Sequence, residues 1–223
     1  MITIAGLTVT FGRTLALDRL DLELGEGVTG LFGQNGSGKS TLLRVLAGLL
    51  RPRAGSVSVE GTRIDIGDER FRSRVGYVGH TSGLYPHLTV GENLELFARL
   101  YGAAPERIEG LLKGLDIADR RTTPVADLSA GLKRRAAVAR GLLHEPDLLL
   151  LDEPYANLDD GAAAALSEAV KAWVAPGRAA VIATHGAKKV KPFADATVVL
   201  QRGHIVSHRV RVPAEASADE VIA

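Results

Sequence analysis

A glycine-rich segment near the N-terminus has the residue types and spacing that hold nucleotide phosphates. After Gly33 and four further residues comes Gly38-Lys39-Ser40, between a short apolar run and a stretch with helical spacing. Glycines let backbone N–H groups curl around phosphate oxygens, and the start of the following helix adds a favourable dipole. Lys39 is expected to neutralise the β- and γ-phosphates, and Ser40 to offer its hydroxyl to Mg²⁺. The pattern predicts an ATP site rather than an ordinary glycine turn, with nucleotide contacts from Asn35, Gly36, Ser37, Gly38, Lys39, Ser40 and Thr41.

A pair of acids at the end of an apolar run is the second candidate group. Asp152 and Glu153 follow the four leucines 148–151, a run typical of a buried parallel strand. Ligand groups in parallel sheets sit at the carboxyl ends of strands, so Asp152 is predicted to hold Mg²⁺. Glu153 is predicted to polarise the attacking water as a general base. A strand followed by a solvated turn would explain the acids alone, but not their combination with the phosphate loop.

A third group, Leu128-Ser129-Ala130-Gly131, precedes the acids and is followed by the basic run Lys133-Arg134-Arg135. A helix that begins near Gly131 offers free N–H groups and the positive end of its dipole to an anion. Ser129 suits the capping position of that helix and can also donate a hydrogen bond. A plain capped helix is the simpler interpretation, and capping is compatible with phosphate contact.

Strands and helices alternate around these groups. Apolar patterns predict strands over 2–11, 20–24, 28–32, 56–60, 75–78, 148–151, 179–183 and 197–200. Helical spacing predicts helices over 40–50, 90–101, 105–115, 131–143 and 161–174. Arg202-Gly203 predicts a hairpin that joins 198–201 to 204–206. The sequence thus predicts an α/β core interrupted by a helical insertion near 81–146, and a small, polar, mobile segment from Pro213.

Composition limits the classes of function. The 223 residues are 46% hydrophobic, enough for a sizeable core in one or two compact domains. A net charge of +1 argues against a nucleic-acid partner. There are no cysteines, which excludes disulfides and thiolate metal sites and fits a reducing compartment. The N-terminus does not resemble a signal peptide, and no run approaches the roughly 20 apolar residues that span a bilayer. Work at a membrane would therefore require docking on another chain.

In order and spacing the motifs resemble the nucleotide-binding subunit of an ABC transporter. The resemblance covers about residues 2–210 and rests on GQNGSGKST, LSAG, LLLLDEP, Asn157-Leu158-Asp159 and Thr184-His185. It implies a single ABC ATPase domain over 1–223, with a P-loop NTPase core of the RecA-like α/β type. That core and an antiparallel β subdomain would occupy 1–80 and 147–223, and an inserted α-helical signature subdomain 81–146. It also implies a head-to-tail homodimer that sandwiches two ATP molecules with Mg²⁺.

The resemblance assigns roles to single side chains. In such a dimer, Ser129 and Gly131 of one subunit contact the γ-phosphate held by the other subunit's loop. Asp159 resembles the dimer-contacting loop that follows the acids. Phe11 resembles the aromatic residue that stacks on adenine, where most relatives have Tyr. The alternative for Phe11 is a core aromatic residue.

The resemblance also predicts an intact hydrolytic site, with Lys39, Glu153 and His185 as catalytic residues. His185 follows the apolar stretch 179–183 and resembles the switch histidine that reaches the γ-phosphate and orients Glu153, although a lone histidine is more often structural. His80 stands where most relatives have a Gln that touches Mg²⁺ and water. A neutral imidazole can still hydrogen-bond or ligate a metal, whereas the simpler interpretation is that His80 fills a turn. The predicted metal ligands are Ser40, Asp152 and His80.

His80, Ala130 and Leu132 depart from the common family pattern and point to one branch. With the string YVGHTSGLYPHLTVGENL over 77–94, they resemble the ATPase subunits of cytochrome c maturation haem exporters. That branch implies integral membrane partners of the CcmB, CcmC and CcmD type, and ATP-driven release of a haem-loaded chaperone. The chain would lie on the cytoplasmic face of the inner or plasma membrane, with a coupling helix of its partner near 85–93. Drug and antibiotic exporter ATPases share most of these motifs and remain an alternative.

Three other classes of protein fit only part of the pattern. An ABC protein acting on DNA or ribosomes would need coiled-coil insertions or a second cassette, which the sequence does not show. A P-loop nucleotide kinase would need an acceptor site and lid arginines, and would not explain 129–131 or Thr184-His185. A regulatory subunit that senses ATP with weak turnover is disfavoured by Glu153 and His185. The departures at His80 and Leu132 leave that last class open.

Overall fold

The computed structural model describes residues 1–64 and 67–211, so the segment predicted to be mobile from Pro213 lies outside the described residues. The strands are β1 (Ile2–Phe11), β2 (Thr14–Leu24), β3 (Gly27–Phe32), β4 (Ala54–Val59), β5 (Thr62–Arg63), β6 (Val75–Val78), β7 (Leu148–Asp152), β8 (Ala179–Thr184), β9 (Ala196–Gln201) and β10 (His204–Val210). The helices are α1 (Lys39–Leu46), α2 (Glu69–Arg72), α3 (Val90–Tyr101), α4 (Arg107–Gly114), α5 (Ala130–Leu142) and α6 (Asp160–Trp173). Within the described ranges, no helix combines the length and the apolar character needed to cross a bilayer.

The larger sheet brings the carboxyl ends of its parallel strands to one edge. Its order is β10-β9-β3-β8-β7-β6, and β10 runs antiparallel to β9 while the other pairs are parallel. Strand β8 lies between β3 and β7, so that its Thr184 pairs with Phe32 and its Ala183 with Asp152. Strand β6 ends at Val78 beside β7. The phosphate loop, the acid pair, His80 and His185 therefore leave the sheet side by side, where ligands of such sheets bind.

Two apolar clusters cover the two faces of this sheet. One contains the smaller antiparallel sheet, of order β2-β1-β4-β5, together with α1. The other contains buried residues of α3, α4, α5 and α6. Along β7 the leucines alternate, with Leu148 and Leu150 in the first cluster and Leu149 and Leu151 in the second. Burial on both faces explains why β7 is a continuous apolar run without polar alternation.

Most predicted elements are confirmed with small shifts at their ends. The helix predicted over 90–101 has those bounds, because Thr89 forms a capping box with Glu92 and Gly102 ends the helix in a left-handed conformation. The hairpin at Arg202-Gly203 is also confirmed. Both residues have positive φ angles, 48° and 79°, which suits the tight turn of a two-residue β-hairpin.

Five predicted boundaries were wrong by two residues or more. Two of them are the start of β4, at Ala54 and not Ser56, and the end of β10, at Val210 and not Val206. Helix α1 ends at Leu46 and not Leu50, because Gly48 has a φ of 66° and turns the chain out of the helix. Strand β2 begins at Thr14 and not Leu20, and irregular pairing that includes a positive φ at Arg19 hides its alternation. Helix α4 begins at Arg107 and not Pro105. The prediction also missed two short elements, β5 and α2.

Candidate nucleotide site

The phosphate loop has the backbone of an anion cradle. Gly33, Gly36 and Gly38 have φ angles of 155°, 76° and 109°, and α1 begins directly afterwards at Lys39. A Cβ atom at Gly33 would lie 2.3 Å from the carbonyl oxygen of Leu200, so a side chain at this position would collide with backbone. Conformation favours glycine at all three positions, and at Gly33 and Gly38 the space for a side chain is also missing.

Lys39 points its ammonium group back into this loop. Its side chain is 6% exposed, and Nζ donates to the carbonyl oxygens of Gly33 at 2.8 Å and Gln34 at 3.2 Å. The same nitrogen lies 3.7 Å from Oε1 of Glu153. The buried hydroxyl of Ser37 has no hydrogen-bond partner among the described residues. A buried cation and a free hydroxyl inside a glycine cradle fit a bound phosphate group.

Asp152 fits a magnesium ligand. The residue is 2% exposed, and its Oδ1 has no hydrogen-bond partner in the described part of the chain. A buried carboxylate without a partner is costly unless a cation binds it. Over residues 1–64 and 67–211 no group of three or more His, Cys, Asp and Glu residues could hold a metal by itself. Mg²⁺ suits such a site, because it is commonly held by one carboxylate, a hydroxyl such as that of Ser40, and substrate phosphates.

Glu153 is held by the end of the neighbouring strand. Its Oε2 accepts a hydrogen bond from the hydroxyl of Thr184 at 3.0 Å and lies 3.0 Å from Nδ1 of His185. Its Oε1 accepts the backbone N–H of His185 at 2.9 Å. Glu153 has a positive φ of 50°, and its backbone N–H donates to the carbonyl oxygen of Ala183 at 2.8 Å. The strained turn thus places the carboxylate between Lys39 and His185.

His185 and Thr184 show what the sequence could and could not reveal. The ring of His185 is 66% exposed and hydrogen-bonds with Glu153, which differs from a buried structural histidine. The sequence prediction gave Thr184 no role of its own, yet its hydroxyl is one of the donors that fix Glu153. Thr184 is the polar last residue of the buried strand β8, which pairs with β7, the strand that precedes Glu153. That position was the one sign of its role in the sequence.

The segment Ser129–Gly131 begins α5 at the surface. Ser129 caps the helix, because its Oγ accepts the backbone N–H of Leu132 at 3.3 Å, and both Ser129 and Ala130 are exposed. A Cβ at Gly131 would lie 2.9 Å from the carbonyl oxygen of Asn157. Among the described residues no hydrogen bond links this segment to the phosphate loop of the same chain. The helix start is therefore open to an anion from outside the protomer.

Phe11 and His80 lie at the edges of the site. Phe11 ends β1 and is 48% exposed, so the structure does not place it in the core. His80 is exposed and follows β6, where it lines a cleft with Lys133, Glu153 and Asn157. The metal-binding role of His80 stays a prediction, and its place in one cleft with Glu153 would allow contact with water or nucleotide. Asp159 caps α6 by accepting the N–H of Ala162 at 2.8 Å.

Comparisons with known proteins agree with this geometry. The profile of the ABC transporter family matches residues 17–156. The chain is 37% identical over 225 residues to a daunorubicin resistance ATP-binding protein, DrrA3, of Streptomyces coeruleorubidus, with 99% of this chain and 69% of that protein covered. It is 34% identical over 212 residues to Nod factor export ATP-binding protein I of Ralstonia nicotianae, with 93% and 66% covered. It is 45% identical over 161 residues to the cytochrome c biogenesis ATP-binding export protein CcmA of Cupriavidus pinatubonensis, with 71% of each covered. The chain thus spans about two thirds of the length of these curated relatives.

Two solved structures share the fold. The ATP-binding subunit of an ABC transporter matches with a TM-score of 0.85 at 29% identity, covering 94% of this chain and 90% of that one. An ATP-binding cassette in a dimeric post-hydrolysis state, bound to ADP and Pi, matches with a TM-score of 0.83 at 25% identity, covering 96% and 100%.

The chain belongs to the ABC transporter family, as one of its ATP-binding domains. The predicted fold class, a P-loop NTPase cassette with mixed α/β sheets, is confirmed. The domain is an ATPase that uses ATP with Mg²⁺, as predicted from the phosphate loop and the acid pair.

Proposed function

We propose that this chain is the ATP-hydrolysing subunit of a cytochrome c maturation haem-export complex, of the CcmA type, and works as a homodimer. The observation that carries the hydrolytic part is the arrangement of Glu153, held by Thr184 and His185 beside the ammonium group of Lys39. An ATP-binding protein without turnover would not require a carboxylate fixed next to the phosphate cradle. The finer assignment is supported by the 45% identity to CcmA, together with His80 and the sequence LSAG.

Hydrolysis follows from the positions of five side chains. Lys39 neutralises charge on the β- and γ-phosphates, and Asp152 and Ser40 hold Mg²⁺, which when bound offsets the charge that develops on phosphate oxygens. Water attacks the γ-phosphorus, the bond to the β-phosphate oxygen breaks, and Glu153 accepts the proton from the water. The products are ADP and inorganic phosphate. His185 orients Glu153 and reaches the γ-phosphate with its exposed ring.

The second copy of the chain completes the site. Ser129 and Gly131 open onto the surface and are not hydrogen-bonded to the phosphate loop of their own chain within the described residues. In the proposed head-to-tail dimer they meet the γ-phosphate held by the partner. ATP then favours the closed dimer because it contacts both copies, and loss of the γ-phosphate shifts the population towards the open state. The proposed division places α3, α4 and α5 in a helical signature subdomain over 81–146, between core and β-subdomain segments 1–80 and 147–223.

The proposed membrane partner docks against α3 and the segment that precedes it. Leu49, Leu100 and Tyr101, which are 51%, 67% and 41% exposed, line a groove there. Tyr85, which is 53% exposed, stacks on Phe97 of the same helix. Clustered exposed apolar groups mark interaction surfaces. We place the chain at the cytoplasmic face of the membrane, with integral membrane subunits such as CcmB, CcmC and CcmD above this groove.

The ATPase of a drug or antibiotic exporter is the second candidate. It is favoured by the relatives of 34% and 37% identity, which cover more of this chain than CcmA does.

Co-expression of the tagged chain with CcmB, CcmC and CcmD, followed by phosphate release from the purified complex, distinguishes the two candidate functions. The haem-export proposal predicts a complex whose ATPase rate exceeds that of the chain alone. A chain that does not co-purify with these subunits, but hydrolyses ATP, would refute the finer assignment and leave the ATPase intact.

A further inference from the structure

The three side chains of the basic run Lys133-Arg134-Arg135 donate hydrogen bonds to different parts of the chain. Lys133 Nζ donates to the carbonyl oxygen of Ala126 at 3.0 Å, and Arg135 Nη1 donates to that of Leu115 at 3.0 Å. Both contacts stay within the helical insertion. Arg134 differs, because its Nη1 donates to the carbonyl oxygen of Gly79, directly after core strand β6. Of the three, Arg134 is therefore the one that ties the start of α5 to the core.

Arg134 is buried near Asp152 and Glu153, the proposed metal ligand and the proposed general base. It is 8% exposed, and its Nε and Nη2 have no hydrogen-bond partner among the described residues. Burial lowers the pKa of Arg134, and the charges of Asp152 and Glu153 act in the opposite direction. The side chain lines the same cleft as His80 and Glu153. A buried guanidinium with free donors is held there by nearby negative charge.

We propose that Arg134 is a positioning residue for ATP hydrolysis, which links the signature helix α5 to the Gly79 carbonyl and to the carboxylate of Glu153 in the same protomer. The proposal rests on the general-base role proposed above for Glu153. It gives the helix that would touch the partner's nucleotide a through-space electrostatic connection, across the cleft that Arg134 and Glu153 both line, to the acid that serves its own nucleotide.

The Glu153 carboxylate lies between groups of the core and the buried charge of Arg134 on α5. Thr184 and His185, at the end of β8, hold the carboxylate from the core side. Arg134 approaches from α5, which carries Ser129 at its start. When the partner's nucleotide engages that start, α5 and its buried charge move as one rigid element. Because attraction between charges is strong at low dielectric, a small shift of Arg134 changes where the Glu153 carboxylate rests.

A second arginine of α5, Arg140, also contacts β6 but does not line the cleft of Glu153. It lies two turns further along α5, where Nη2 donates to the carbonyl oxygen of Tyr77 at 2.9 Å and the guanidinium stands 5.1 Å from the ring centre of Phe97. Its surroundings are the aromatic groove proposed for the membrane partner, and it does not line the cleft of Glu153. Arg140 anchors α5 to β6, whereas Arg134 also faces the acids.

The test compares Arg134→Met, Arg134→Lys and the neighbouring control Arg135→Met, with Glu153→Gln measured in parallel. Phosphate release and ATP affinity are measured on the full chain, and thermal unfolding checks folding. Arg134→Met is expected to fold, because an apolar side chain suits a buried site. Its kcat should fall by about 10- to 100-fold, the cost of a misplaced catalytic group, with ATP affinity unchanged within about twofold. Arg134→Lys should recover part of kcat, and Arg135→Met should keep it.

Two results would overturn the role of Arg134 but leave the role of Glu153 intact. The first is an Arg134→Met variant that keeps the kcat of the unaltered chain while Glu153→Gln is inactive. The second is a loss of kcat in Arg135→Met as large as that in Arg134→Met. If Arg134→Met does not fold, Arg134→Lys decides: an unchanged kcat with retained folding contradicts a role that depends on the reach of the guanidinium. Normal turnover by Glu153→Gln would overturn the proposed function itself, and this inference with it.

Discussion

Nδ1 of His185 lies 3.0 Å from Oε2 of Glu153, although 32 residues separate them in the chain. The parallel pairing of β7 with β8 produces this contact, since each residue follows the end of its strand. The same carboxylate is within 3.7 Å of Lys39, which belongs to the phosphate loop. One network of polar contacts thus joins the three predicted catalytic residues.

Replacing His185 by Ala should lower kcat because Glu153 loses the ring that orients it and the γ-phosphate loses a contact. A decrease of about 10²- to 10⁴-fold is expected, with little change in ATP affinity, measured by phosphate release and nucleotide titration. His204→Ala is the matched control, since His204 lies in β10 beside Asp18 and away from the acids. Equal turnover in the two variants would contradict the assigned role of His185.

Replacing Ser129 by Arg should abolish turnover while each chain still binds ATP, because the bulky cation blocks the approach of the partner's nucleotide. Ser129→Ala is the matched control. It removes the cap of α5 and should cost about 1 kcal/mol of stability, yet leave closure sterically free. Phosphate release, nucleotide affinity and thermal unfolding separate the two effects. Turnover by Ser129→Arg at the normal rate would show that the site is complete within one chain.

Replacing Phe11 by Ala should weaken ATP binding through loss of a stacking surface for adenine. Base–aromatic stacking contributes about 1–3 kcal/mol, so ATP affinity should fall by about 5- to 150-fold. Phe11→Tyr should retain affinity, and Leu15→Ala is the control, since Leu15 is a similarly exposed apolar residue on β2. Unchanged ATP affinity in Phe11→Ala would remove Phe11 from the site.

His144 should make stability depend on pH. Its ring stacks on Tyr101 with centroids 4.4 Å apart, and burial lowers its pKa. The charge of Arg140 also lowers the pKa of His144, whereas the nearby backbone of Val75 and the charge of Asp147 raise it. Because the folded-state pKa lies below the unfolded value of about 6.5, the unfolded chain binds more protons, and stability is lost as pH falls from about 6.5 through the folded pKa.

Urea unfolding between pH 7 and pH 5 measures this dependence. His144→Phe keeps an aromatic ring against Tyr101 but cannot titrate, so its free energy of unfolding should fall less over that range than that of the unaltered chain. Parallel curves for the two proteins would show that His144 does not contribute.

Sequence alone located the phosphate loop and the acids because local residue types carry their chemistry. The glycines, Lys39 and the apolar run before Asp152 are contiguous signals. The contacts of Thr184 and Arg134 were not predictable, since they depend on strand order and on which face of α5 is buried. Arg134 is the middle residue of a basic run, and only the packing of α5 against β6 shows that it is the buried one. Irregular positions such as Arg19 and Gly48 moved the ends of elements for similar reasons.

A site shared between two copies is tested by the solution mass of Glu153→Gln with and without ATP, measured by light scattering. ATP should double the mass from that of one 23.5 kDa chain, because the nucleotide bridges two copies and is not hydrolysed. The double variant Glu153→Gln with Ser129→Arg should keep the mass of one chain while still binding ATP. A single variant that stays monomeric with ATP bound, or a double variant that still dimerises, would contradict a site shared between two copies.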